Sequence, residues 1–115
     1  MDSLEKTNID KAFGKIFKHY REINNYTQED LSESIGISPK YMSRVENGNG
    51  GIKTKNLINY MNILSISPNM LYKDFIINPK LKTEMEICES INELSEKNIS
   101  LVLGIINLLK ESNSD

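Results

Sequence analysis

The sequence has little cysteine or histidine: Cys88 and His19 are the only examples in 115 residues. A single cysteine excludes an intrachain disulfide framework and is typical of a protein from a reducing compartment. Zinc sites usually need several cysteine or histidine ligands, so we expect no metal and no cofactor. His19 has no serine or cysteine neighbour that would form a nucleophilic pair, and we expect it at the surface.

Long apolar runs are also missing. No stretch approaches the roughly 18 apolar residues that a membrane-spanning helix requires, and residues 1–11 lack the apolar region of a secretory signal. Hydrophobic residues make up 38% of the chain and charged residues 26%, the balance of a globular protein rather than a disordered one. The length fits one compact domain, or a small domain with an appended element. We therefore expect a cytoplasmic protein with no membrane partner.

The net charge is small as well. A value of −2 argues at first against nucleic acid as a partner. The charges are unevenly distributed, however, because residues 11–55 carry more basic than acidic side chains, whereas residues 79–115 are acidic. Local charge governs contact with a polyanion. A solvated helix face would show the same basic excess, so charge alone does not decide the question.

Apolar residues recur at helical spacing, and no segment alternates with the two-residue period of a strand. A first helix is predicted by Phe13, Ile16, Phe17, Tyr20 and Ile23, and it ends at Asn24-Asn25. A fourth helix, over about residues 54–64 with Thr54 as its cap, is predicted to bury Leu57, Ile58, Met61 and Leu64. Ser67-Pro68 begins a short fifth helix. The predicted fold class is all-α.

Two short helices are predicted between the first and the fourth. Thr27 is a good N-cap for one, and Gly36 supplies the left-handed residue that ends it. Ser38 followed by Pro39 begins the next. Residues 47–51, Asn-Gly-Asn-Gly-Gly, predict a loop. Since no strand precedes this loop and the Gly-Lys-Ser/Thr ending of a phosphate-binding P-loop is missing, a flexible connection is favoured.

The run from Thr27 to Gly48, TQEDLSESIGISPKYMSRVENG, closely resembles the helix-turn-helix of the lambda-repressor-like (XRE) family. Tyr20-Arg21 upstream and residues 57–71 downstream also fall in register, so the resemblance covers about residues 9–75. It implies a five-helix DNA-binding domain in which the third helix enters the major groove. It also implies a structural ion pair between Arg21 and Glu46, which ties the first helix to the end of the third.

The resemblance implies a DNA-binding site on and around the third helix. Base-reading positions fall on its exposed face, at Ser38, Lys40, Ser43 and Arg44. Contacts with DNA phosphates are implied at Gln28, Tyr41, Asn49, Lys53, Thr54 and Lys55. An arginine can bind guanine O6 and N7 bidentately, which favours Arg44 as a base reader over a surface or phosphate-only role. Tyr41 has the alternative of packing its ring while its hydroxyl reaches a phosphate.

The chain after Asn78-Pro79 predicts two further helices with apolar stripes. The first carries Leu81, Met85, Cys88, Ile91 and Leu94, and the second, capped by Ser95, carries Ile99, Val102, Leu103, Ile106 and Leu109 among other apolar residues. A two-helix hairpin cannot cover so much apolar surface alone, so a partner surface is favoured over a larger core. The hairpin resembles the dimerisation element of small regulators in this family. On the stripe, Cys88 is expected to be a buried, inert thiol rather than a redox sensor.

The predicted organisation is therefore a flexible N-terminus at residues 1–8, a helix-turn-helix domain at 9–78 and a two-helix dimerisation element at 79–115. We expect a bacterial transcriptional regulator, and most simply a repressor, that binds double-stranded pseudo-palindromic DNA as a homodimer. The alternative is a protein-interaction module, such as an antagonist or antitoxin-like heterodimer partner, that uses the apolar C-terminal helices. An enzyme is not expected, because the sequence offers no nucleophile–base pair, metal set or cofactor loop.

Overall fold

The computed structural model describes residues 5–113, and over that range the chain forms α-helices and no strand. The helices are α1 (Lys6–Ile23), α2 (Gln28–Ile35), α3 (Pro39–Glu46), α4 (Thr54–Leu64), α5 (Pro68–Tyr72), α6 (Pro79–Asn92) and α7 (Glu96–Ser112). The predicted all-α fold class is confirmed. Within the described range, no helix is both long and apolar enough to cross a membrane.

Contacts within the chain divide it into two compact units, one extending to Ile76 and the other beginning at Ile77. The first unit contains α1 to α5 and a hydrophobic core. Its largest fully buried hydrophobic side chains are Phe17, Leu31, Met42, Tyr60, Leu64 and Leu71. The rings of Phe17 and Tyr60 stack with their centroids 4.3 Å apart. Burying one such side chain stabilises a fold by roughly 1.5–3 kcal/mol, so these residues join the helices of this unit.

Local signals set where α2 and α3 begin and end. The Thr27 side chain accepts a hydrogen bond from the Asp30 N–H, and Gly36 ends α2 with a φ of 87°. The Ser38 hydroxyl accepts from the Tyr41 N–H, and Pro39 occupies the first turn of α3. A cap of this kind is worth about 1 kcal/mol. The two helices are thus separated only by residues 36–38, the short connection that is typical of a helix-turn-helix.

Two details of α4 differ from the prediction. Ile58 was expected to face inward but is 46% exposed, whereas Tyr60, which was not predicted to be buried, is completely buried. Both residues are apolar enough to face a core, and the stacking partner Phe17 decides which of them does. Thr54 is the first helical residue rather than the cap; the N-cap is Lys53, which makes no side-chain cap hydrogen bond.

The first helix begins earlier than predicted. Residues 1–8 were expected to be flexible, but α1 begins at Lys6, so residues 6–8 are helical. Ile9 packs against the core one turn before Phe13, and this contact extends the amphipathic pattern toward the N-terminus. The rest of the predicted flexible segment, residues 1–4, lies outside the described residues.

The second unit consists of α6 and α7. The Asn78 side chain accepts from the N–H groups of Lys80 and Leu81, and Ser95 caps α7 by accepting from the Asn98 N–H. None of the side chains in these two helices is fully buried. Met85, Ile91, Val102 and Ile106 are half-buried, while the other predicted dimerisation residues, Leu81, Cys88, Leu94, Ile99, Leu103 and Leu109, are exposed. In the single chain Cys88 is thus exposed, and the expected burial of its thiol would require a partner to cover that face.

Candidate nucleic-acid interface

The third helix presents a polar face opposite the side that enters the core. Met42 and Val45 are buried against the first unit. Lys40 and Arg44 are exposed, and a spacing of four residues places them on one side of the helix. Ser38, at the N-terminal end, is exposed, and Ser43 is half-buried. Of the four side chains predicted to read bases, Lys40 and Arg44 thus share the outer face of α3, whereas Ser38 caps its N-terminus.

A bidentate ion pair holds this helix against α1. Arg21 donates from Nε to Glu46 Oε2 at 2.6 Å and from Nη2 to Glu46 Oε1 at 3.0 Å. Arg21 Nη1 also donates to the Tyr26 carbonyl at 2.9 Å. Hydrogen bonding to Glu46 raises the pKa of Arg21 above its ordinary value, although burial opposes this shift. The two residues that the resemblance paired thus lie in direct contact at the end of α3.

The same carboxylate also binds the first residue of α2. Gln28 Nε2 donates to Glu46 Oε1 at 3.0 Å. The sequence predicted Gln28 as a phosphate contact and gave no sign of this second role, because Gln28 and Glu46 are far apart in the chain. Glu46 is only 6% exposed, so its carboxylate joins α1, α2 and α3 from within the protein.

Tyr41 connects α3 to the segment that follows it. Its hydroxyl donates to the Gly51 carbonyl and accepts from the Lys53 N–H, both at 3.4 Å. The phenol was predicted to contact a phosphate. In the structure its single proton is directed at the loop of residues 47–51, which we call the glycine loop. A phosphate contact through that proton would therefore require Tyr41 to release Gly51.

The remaining predicted phosphate contacts surround the glycine loop. Asn49, Lys53, Thr54 and Lys55 are all exposed. Lys53, Thr54 and Lys55 lie at the N-terminus of α4, where unpaired backbone N–H groups and the helix dipole attract anions. Lysine side chains next to such a terminus add positive charge. This edge of the first unit is therefore suited to a polyanion.

Outside this face the structure shows no grouping suited to catalysis by a metal. Between Glu5 and Asn113, no three histidine, cysteine, aspartate or glutamate side chains cluster as metal ligands would. His19 is exposed, and its one ring contact within the described residues is with Tyr20. What the first unit offers chemically is a rigid helix with donors on its outer face.

Comparison with known proteins agrees with this geometry. Residues 14–74, which extend from within α1 to two residues beyond α5, match the model of a family described as a helix-turn-helix domain. The chain belongs to the XRE family of helix-turn-helix DNA-binding transcriptional regulators. This family consists of regulators and not of enzymes.

Solved structures resemble this XRE-family chain. The restriction-modification controller protein C.AhdI from Aeromonas hydrophila is 26% identical with a TM-score of 0.50, over 54% of this chain and 94% of its own. The clp gene regulator ClgR from Corynebacterium glutamicum is 19% identical with a TM-score of 0.53, over 83% and 89% of the two chains. A chain of the SinR protein/SinI protein complex is 18% identical with a TM-score of 0.50, over 86% and 98%. No curated protein sequence matches this chain.

Two lysines beside the glycine loop of this XRE-family chain were missed by sequence reasoning. A Cβ built on Gly51 would lie 3.7 Å from Lys6 Nζ, and one on Gly48 would lie 2.8 Å from Lys11 Cα. The first turns of α1 therefore lie against the glycine loop. Both are basic residues that precede Phe13 in the sequence, but Lys6 fell within the segment predicted to be flexible.

Proposed function

We propose that the protein is a sequence-specific repressor that binds a pseudo-palindromic operator in double-stranded DNA as a homodimer. The observation that carries this proposal is the exposed polar face of α3, held at a fixed angle by the contacts of Glu46 with Arg21 and Gln28. A helix so fixed can enter the major groove without first being ordered. The protein would then act in the cytoplasm and would be associated with the nucleoid when it is bound to DNA.

The proposal gives two roles to the side chains of this interface. Ser38, Lys40, Ser43 and Arg44 read base edges, with Arg44 suited to guanine. Gln28, Asn49, Lys53, Thr54 and Lys55 contact phosphates and set the register on the duplex, whereas Tyr41 keeps its proton on the Gly51 carbonyl and holds the glycine loop. Gln28 has a second amide hydrogen besides the one directed at Glu46. It can therefore bind a phosphate without leaving the carboxylate.

We assign residues 9–78 to DNA binding and residues 79–115 to dimerisation. Large apolar side chains lie exposed along α7, and Leu109, one of the predicted dimerisation residues, is 58% exposed. A second copy of the hairpin would cover this face and the stripe of α6 in both chains. A two-fold dimer would place its recognition helices about 34 Å apart, one turn of DNA, and so double the number of base contacts.

Selection of bound duplexes from a random library by the purified protein tests the DNA-binding part. An enriched motif with two-fold symmetry is expected, and transcription in vitro from a promoter carrying that motif should fall when the protein is added. Failure to enrich any motif at moderate salt would overturn the proposal. Mass measurement in solution tests the homodimer, and a monomer at micromolar concentration would contradict it.

A second candidate is a protein-interaction module, an antagonist or antitoxin-like partner whose apolar helices bind a different protein. The exposed apolar side chains of α7 favour this role as much as they favour self-association. The two candidates differ in solution mass and in DNA selection. A monomer that enriches no motif supports the interaction module, whereas a dimer with a symmetric motif excludes it as the main role.

A further inference from the structure

The guanidinium group of Arg44 rests against the backbone of the glycine loop. A Cβ built on Gly50 would lie 3.0 Å from Arg44 Nη2, 3.6 Å from Cζ and 3.7 Å from Nε. All three atoms belong to the charged group at the end of the side chain. The guanidinium therefore occupies the space that any side chain at Gly50 would need.

The loop that supports Arg44 is itself held in place on both sides of Gly50. Before it, the Asn49 N–H donates to the carbonyl of Arg44 at 2.9 Å. After it, the Gly51 carbonyl accepts from the Tyr41 hydroxyl. Tyr41 and Arg44 are three residues apart on α3, so one helix both fixes the loop and rests a charged side chain on it.

We propose that Gly50 is a specificity-determining positioning residue, which acts by holding the Arg44 guanidinium in one orientation for base reading. The inference rests on the proposed function, in which Arg44 contacts a base. An arginine side chain loses much rotamer freedom when it binds, and a support that restricts it beforehand lowers that cost. Discrimination between bases depends on this orientation, because a bidentate contact with guanine needs both hydrogen bonds in line.

Alanine at position 50 is the change that isolates this effect. The new methyl group would displace the end of the exposed Arg44 side chain and not the backbone. Gly50 does not have a left-handed φ, unlike Gly36 and Gly48, so alanine fits its backbone. We therefore expect Gly50→Ala to fold with an unchanged melting temperature while Arg44 moves away from the loop.

Gly51→Ala is the matched control. It makes the same substitution one position further along, again without a left-handed φ. Its Cβ would meet only the Lys6 side chain, at 3.4 Å from Cε and 3.7 Å from Nζ, which is ordinary contact. Any general stiffening of the loop by alanine should appear equally in both variants.

The experiment uses the duplex that the wild-type chain enriches from a random library, with each base pair substituted in turn. Arg44→Ala identifies the base pair that Arg44 reads, because preference there should fall by about tenfold or more. Gly50→Ala should lower the preference at that same pair by about three- to tenfold, whereas Gly51→Ala should leave it unchanged. In an Arg44→Ala background, Gly50→Ala should have no further effect on base preference.

Each other result has a defined meaning. Equal base preference in Gly50→Ala and Gly51→Ala would overturn the inference, and so would an undiminished effect of Gly50→Ala in the Arg44→Ala background. If Arg44→Ala altered no base preference, the inference would fail although DNA binding stood. If the wild-type chain enriched no motif, the proposed function itself would have failed.

Discussion

Arg21 in α1 binds both carboxylate oxygens of Glu46, the last residue of α3, at distances of 2.6 and 3.0 Å. The Arg21 and Glu46 side chains are 11% and 2% exposed, so water has little access to this ion pair. Because Glu46 also accepts from Gln28 in α2, one carboxylate sets the position of three helices. Breaking a buried pair by removing one partner costs far more than breaking a pair at the surface.

Replacing Glu46 by alanine is therefore expected to lower the free energy of unfolding by about 3 kcal/mol, since Arg21 then keeps its charge without its partner. Urea unfolding of the two proteins measures the difference. Glu33→Ala is the control, because Glu33 is exposed on α2 and such a change usually stays within about 0.5 kcal/mol. Equal losses in the two variants would show that the Arg21–Glu46 pair does not stabilise the domain.

Tyr60 offers a change in the opposite direction. Its hydroxyl is the one buried side-chain polar atom in the described part of the chain that has no hydrogen-bond partner. Tyr60→Phe removes this atom and keeps the ring that stacks on Phe17. We expect the free energy of unfolding at pH 7 to rise by about 1 kcal/mol, as measured by urea unfolding. A decrease relative to the control Tyr20→Phe, a half-exposed tyrosine, would argue that the hydroxyl is stabilising.

Tyr60 also predicts a loss of stability at alkaline pH. Burial raises the pKa of Tyr60 well above its ordinary value of 10. As the pH rises past 10, the unfolded chain releases this proton while the folded chain keeps it. The folded state then binds more protons, so stability falls with rising pH. The stability linked to the Tyr60 proton is fully present below pH 10 and is lost above it. Tyr60→Phe should therefore reduce the slope of the unfolding free energy against pH above pH 10. An equal slope in both proteins would show that Tyr60 does not cause this pH dependence.

Arg44 and Lys55 should differ in what they contribute to DNA binding. Arg44→Ala is expected to relax the base preference at one position of each half-site, because a bidentate contact with a base is lost. Lys55→Ala should weaken binding to all sequences alike and reduce the slope of log affinity against log salt by about one. Binding titrations at several salt concentrations, on the selected motif and on a scrambled duplex, measure both effects. An unchanged base preference in Arg44→Ala would remove that residue from base reading.

The proposed homodimer can be tested with a charge on its apolar face. Leu109, one of the predicted dimerisation residues, is 58% exposed in the single chain, and burying a leucine contributes roughly 1.5–3 kcal/mol. Leu109→Glu should therefore weaken dimerisation by about tenfold or more, with a parallel loss of affinity for a two-half-site operator. Sedimentation equilibrium gives the dimer constant.

Asn107→Glu is the matched control for that variant. It adds the same charge two residues away, at an exposed polar position on α7. We expect its dimer constant to stay close to that of the wild-type chain. Equal dimer constants for Leu109→Glu and Asn107→Glu would place the interface elsewhere.

The helices could be predicted from the sequence because the signals that begin and end them are local. Thr27, Ser38 and Ser95 each accept a hydrogen bond from a backbone N–H three residues further along, and such caps depend only on neighbouring residues. The family match over residues 14–74 likewise depends on residue order alone. The all-α class, the helix-turn-helix and the family were therefore predictable from the chain as written.

Other features could not be predicted because they depend on partners distant in sequence. Ile58 and Tyr60 are both apolar enough to face a core, and only the position of Phe17 buries Tyr60. The Gln28 amide binds Glu46 because folding brings the start of α2 to the end of α3. Cys88 lies on an apolar stripe, yet the single hairpin has too little surface to cover it.

The sequence by itself determined the all-α class, the helix-turn-helix and the polar face of α3, because spacing, caps and charge are properties of neighbouring residues. Tertiary structure alone decided how that face is supported. Arg44 rests against Gly50 because the glycine loop, fixed by the Tyr41 hydroxyl, returns alongside α3. A contact of this kind depends on the path of the backbone in space, and the type of residue at a single position does not determine that path.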